Sequence, residues 1–117
     1  MIVKDNSKRL IKSGQYSALL VEIKPIKSGY GERLGFLFEI NEGFYKGRKL
    51  MRTCTPIFKS GSNLAEIVES LNQATLTAKQ VEQGIDLEQF KNKPYQITVT
   101  KRIGKNGFPY SHIEKIN

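Results

Sequence analysis

The 117-residue chain is long enough for one hydrophobic core, and its 38% apolar and 26% charged residues are those of a folded globular protein with a modest interior. Nineteen Lys and Arg against eleven Asp and Glu give a net charge of +8 and point to polyanions as partners, because cations that neutralise phosphates release condensed counterions. The single cysteine, Cys54, excludes an internal disulfide and fits a reducing, cytoplasmic setting; no window has the roughly 20 apolar residues of a membrane span, and the basic start lacks a signal-peptide core, so neither export nor a membrane partner is expected.

Residues 1–13, with Lys4, Lys8, Arg9 and Lys12, read as a basic arm or an extra edge strand ahead of one domain covering 14–117. In residues 16–26 the alternation of Leu19, Val21 and Ile23 predicts a first strand, and the glycines of 27–32 a turn. Leu34, Phe36, Phe38 and Ile40 then share one face of a second strand over 33–40, which assigns Phe36 and Phe38 to the core. Gly43 and Gly47 break the pattern before a third strand over 48–57.

Leu64, Ile67, Val68 and Leu71 fall at helical spacing behind Asn63, read as the N-cap with Glu66 three residues on. Thr77 and Gln80 open a second short helix ending near Gly84. Tyr95, Ile97 and Val99 alternate in a fourth strand; an Asn106-Gly107 turn leads to a fifth over 110–116. Tyr16, Phe90 and Tyr95, at element borders among apolar neighbours, read as structural.

Three strands, a helix and two more strands is the order of the OB fold, so the expectation is a mainly β, five-stranded OB-type Greek-key barrel with a helix between strands 3 and 4. A Gly-x-Tyr opening (Gly14 to Tyr16), a Gly-x-Tyr-x-Gly-Arg turn (Gly43 to Arg48) and a Gly-x-x-Tyr before the last strand (Gly107 to Tyr110) occur along residues 14–116. In these the chain resembles small OB-fold single-stranded-DNA-binding-like proteins of phages and mobile elements. The resemblance implies the same barrel and a part in replication or recombination.

The charge is regional: between Ser62 and Phe90 five acids (Glu66, Glu69, Glu82, Asp86, Glu88) face one base, Lys79, a local −4 that leaves +12 on the rest of the chain. In OB barrels ligands meet strands 2 and 3 and the loops joining strands 1–2 and 4–5. There the chain interleaves cations with aromatics: Lys27, Tyr30 and Arg33 in the first loop, Tyr45, Arg48 and Arg52 at and along strand 3, and Lys101, Arg102, Lys105, Phe108 and Tyr110 in the second. Cations track phosphates while flat rings stack on unpaired bases, so these eleven residues are the candidate nucleic-acid-binding set.

Catalysis finds no comparable support. His112 is the single histidine and reads as structural, Cys54 as a buried, inert thiol, and no metal site can be written from them. Glu22, Glu32, Glu39 and Glu114 form no metal-binding motif, and the glycines of 29–35 are not followed by the Lys-Ser/Thr of a phosphate loop. The expected function is non-catalytic, sequence-tolerant binding of single-stranded DNA without cofactor or metal. RNA fits the same groove, replication proteins are the expected protein partners, and a dimer is compatible with the pattern. The alternative is an OB-type interaction module that docks an acidic partner.

Overall fold

Period-two alternation of apolar residues builds five strands, β1 (Gly14–Ser28), β2 (Gly31–Ile40), β3 (Lys49–Cys54), β4 (Pro94–Ile103) and β5 (Pro109–Ile116). Between β3 and β4 lie α1 (Asn63–Asn72), α2 (Ala78–Gln83) and a single 3-10 turn, Leu87–Phe90. The structure is a computed structural model and describes residues 10–29 and 31–117; the expectations for Tyr30 and for residues 1–9 lie outside the described residues. All five strands form one antiparallel sheet in the order β3-β2-β1-β4-β5. Among the described residues no helix is long and apolar enough to cross a membrane.

The long strand β1 is the spine, pairing with β4 over Gly14–Leu19 and with β2 over Ala18–Ser28. Its expected apolar face is corrected by the structure. Ala18 and Leu20 are fully buried, and the register skips a residue between Leu20 and Glu22, so Val21 is the extra residue of a β-bulge. Past the bulge the phase reverses and Ile23 turns inward opposite Phe36, which a period count over Leu19, Val21 and Ile23 cannot foresee.

Strand β2 follows its predicted pattern, with Phe36, Phe38 and Ile40 sealed from solvent and the Phe38 ring set edge-on to Tyr95 at 6.3 Å. Each buried ring contributes about 1.5–3 kcal/mol relative to exposure. Strand β3 stops at Cys54, short of the expected 57: Pro56 has no N–H to donate, and the Ile57 N–H turns back to the Thr55 carbonyl at 2.8 Å.

Helix α1 buries the predicted stripe of Leu64, Ile67, Val68 and Leu71 in the same core. Its cap is Ser62, one residue before the expected Asn63: extended Ser62 accepts from the Ala65 N–H at 3.1 Å, and Asn63 begins the helix. Helix α2 has the predicted capping box of Thr77 and Gln80 and stops at Gly84.

Strands β3 and β5 are the sheet's two edges, and among the described residues no backbone ladder joins them. Side chains span the space instead. Arg52 of β3 reaches β5, donating from Nη1 to the Ile113 carbonyl at 3.1 Å. Nearer the β2–β3 turn, Ile11 is buried and tied to β5 by two bonds with Ser111: its N–H donates to Oγ at 2.7 Å, and Oγ donates to its carbonyl at 3.2 Å. The packed unit thus includes Ile11, ahead of the expected boundary at 14, and Leu10–Ser13 form no strand.

Candidate nucleic-acid interface

The space between the edge strands opens into a cleft of about 410 Å³ lined by Arg33, Met51, Arg52, Thr53, Asn63, Tyr110, Ser111 and His112. Pairing geometry explains the convergence. Arg33, the third residue of β2, points to the outer face, where its Nη2 donates to Thr53 Oγ1 of β3 at 3.2 Å. Arg52, opposite Phe36 in the ladder, is carried by an edge strand and leans across to β5. Tyr110 and His112 alternate along β5, with ring centroids 6.3 Å apart and planes at 89°. Asn63 adds the first residue of α1, whose positive end therefore borders the cleft.

Among the described residues no carboxylate lines this cleft, and neither Arg33 nor Arg52 is ion-paired. Arg52 Nη1 also stands 3.1 Å from His112 Nε2. Since arginine can only donate, the imidazole accepts there and carries its proton on Nδ1. Partial burial, then Arg102, then Arg52 push His112 below the ordinary histidine range, with Glu114 pulling the other way. Burial likewise pushes the Cys54 thiol up, against the opposing pull of Arg33 and Arg52. No group of three or more His, Cys, Asp or Glu among the described residues is arranged to hold a metal ion.

The other predicted residues fall into two further places. Phe108, 70% exposed, stands in the β4–β5 turn with Lys105, and Arg102 faces Tyr110 across the hairpin. The turn closes through Gly104 N–H to the Phe108 carbonyl and Gly107 N–H to the Gly104 carbonyl, both 2.9 Å, with Gly107 at φ 83° where a side chain would strain. Tyr45 and Lys101 line a second hollow of about 480 Å³ with Leu10–Ser13 and Ser111. There Tyr45 braces more than it displays: its ring meets Tyr16 edge-on at 5.7 Å, its hydroxyl accepts from the Lys12 N–H at 3.2 Å, and the Arg48 guanidinium lies 5.9 Å from its centroid. Lys27 is exposed, opposite Glu32 near the end of the β1–β2 hairpin.

Three residues of this surface escaped the sequence reading. Phe44, 95% exposed, is the displayed ring of the β2–β3 turn, and its setting between Gly43 and Gly47 is the signal that could have found it. His112 and Asn63 join the cleft through long-range packing that no local pattern announces.

A family model described as Protein of unknown function (DUF669) matches residues 3–117. The chain belongs to that family. No curated protein matches it. The matched region takes in every strand and both helices among the described residues, and with them the cleft and the hollow.

Proposed function

We propose that the protein binds single-stranded nucleic acid, DNA first, along the seam between β3 and β5, and that the sheet is an OB-type Greek-key barrel with α1 covering one end. The strand order, with β1 as a bulged spine and β3 and β5 brought together at the edges, supports the barrel reading. One observation carries the functional reading: Arg33 and Arg52, with no carboxylate among the described residues lining their cleft, share it with Tyr110 and lie next to a turn that displays Phe108. Guanidinium groups hold phosphates by paired N–H bonds while rings stack on bases. Ser111 borders both this cleft and the hollow holding Tyr45 and Lys101, which gives a strand a continuous path past the edge of β5. The protein acts in the cytoplasm, as a non-catalytic partner of replication or recombination proteins.

A fluorescence-anisotropy titration with a labelled dT oligomer of about 30 nucleotides tests this. Log affinity is expected to fall with log salt at a slope of about −0.7 per phosphate neutralised, and duplex DNA to compete poorly. Phe108→Ala and Tyr110→Ala are each expected to weaken binding by about 1–3 kcal/mol. Ile103, 63% exposed on the β4–β5 hairpin opposite Pro109, favours a second reading as a protein-docking module. Affinity that depends on Arg33 and Arg52 yet ignores loss of both rings, with any polyanion displacing the oligomer, would select that reading.

A further inference from the structure

The contact between Arg52 and His112 is unusual in placing a permanent cation on a ring nitrogen that could itself be protonated. Arg52 Nη1 occupies Nε2 at 3.1 Å, and so long as it does, that nitrogen cannot take a proton without setting two cations in contact. The charged or titratable groups around the ring are Arg52 from β3, Arg102 from β4, and Glu114 and Tyr110 from β5, with Arg33 of β2 in the same cleft. Burial, and then the cations that outnumber the one acid among the described residues around the ring, hold His112 below the ordinary histidine range in the free cleft.

We propose that His112 is a conditional phosphate ligand: a phosphate entering the β3–β5 cleft draws the Arg52 guanidinium onto its own oxygens, and the vacated Nε2 takes up a proton and becomes a third cation on the same phosphate. The proton comes from solvent, Arg52 stays charged throughout, and one proton is bound for each phosphate seated. The proposal rests on the reading of the cleft as a phosphate-binding site and adds that binding is coupled to protonation. Apart from the arginines and His112, the polar side chains lining the cleft, Thr53 of β3 and Asn63 of α1 among them, are neutral, so the tuning falls to the imidazole. By linkage, a ligand that promotes protonation binds more tightly as pH falls, with a limiting slope of tenfold per pH unit between the free and bound midpoints of the histidine.

The chain contains one histidine, so its ring C–H resonance in proton NMR reports this site without assignment by mutation. The full chain is titrated from pH 5 to 8 alone, with dT oligomer and with inorganic tripolyphosphate, with anisotropy followed on the same samples; dT avoids the protonation of cytosine. The expected result is a midpoint that rises by a full unit or more on binding, an affinity that strengthens about tenfold per unit of falling pH across that window, and loss of this pH dependence in His112→Gln, which retains an acceptor for Arg52. Oligomer binding with an unmoved midpoint, or with equal pH dependence in His112→Gln, would overturn the coupling and leave nucleic-acid binding standing. Failure to bind the oligomer together with a midpoint raised by tripolyphosphate would sustain the coupling and remove the nucleic-acid reading. Failure to bind either anion would overturn both.

Discussion

Phe36 and Phe44 are the same side chain at opposite extremes of burial, 0% and 95% exposed, and they should answer to different assays. Phe36→Ala leaves a cavity against Ile23 and the rest of the core and is expected to cost about 3–5 kcal/mol in chemical denaturation. Phe44→Ala is expected to leave the denaturation midpoint within error and to weaken dT binding if the β2–β3 turn lies on the strand's path. The core ring was legible from sequence because Leu34, Phe36, Phe38 and Ile40 repeat at period two. Which of the adjacent Phe44 and Tyr45 faces outward was not, since that depends on Tyr16 arriving from β1 to hold Tyr45. Arg33, Arg52 and Tyr110 were named as binding residues from their places on the expected barrel surface, where cations alternate with aromatics; that they share a cleft with His112 follows from long-range packing such as the Arg52–His112 contact, 60 residues apart.

At the scale of elements, the cap of α1 separates two neighbouring polar residues. Ser62→Ala removes the acceptor for the Ala65 N–H and is expected to lower stability by about 1 kcal/mol, whereas Asn63→Ala, inside the first turn, should change it little; thermal melts of the two variants decide between the caps. The sequence pattern points to Asn63, and only the extended backbone of Ser62, whose side chain accepts from Ala65, moves the cap one residue earlier. Strand β1 shows the same limit on a larger element. Its existence was readable, but it runs two residues further at each end than the expected 16–26, and one inserted residue at Val21 reverses which side chains face the core, an insertion that period counting does not allow for. Gly35 is a further consequence of pairing: a Cβ there would stand 2.5 Å from Ile26 Cδ1 and 2.8 Å from Met51 Sδ, so Gly35→Ala should displace both side chains on the outer face beside Arg33, at modest cost because both are flexible ends.

Across the whole molecule, the seam held by side chains makes β3 and β5 the least protected strands. Amide hydrogen exchange is expected to run faster at Met51, Thr53 and Ser111 than at Leu20, Phe38 and Ile97, and Arg52→Met should widen the difference by removing the bond to Ile113. Stability should also depend on pH through His112. Its folded value lies below the ordinary one near 6.5, so above that pH neither state gains from protonation, while below it the unfolded chain binds the proton first and stability falls until the folded midpoint is passed. His112→Gln is expected to flatten this fall in denaturation curves taken between pH 7 and 5.

Among the described residues β1 has backbone partners on both sides only over residues 17–20, with β2 and β3 on one flank and β4 and β5 on the other. The sheet therefore has a narrow waist, and the cleft sits where the two arms meet again at their far ends. In such a lever a small rotation at the waist is multiplied at the tips, as in a pair of pliers. Residues about the Val21 bulge, which touch no ligand, would then set how wide the jaws stand, so grip could be altered by changes made at the fulcrum.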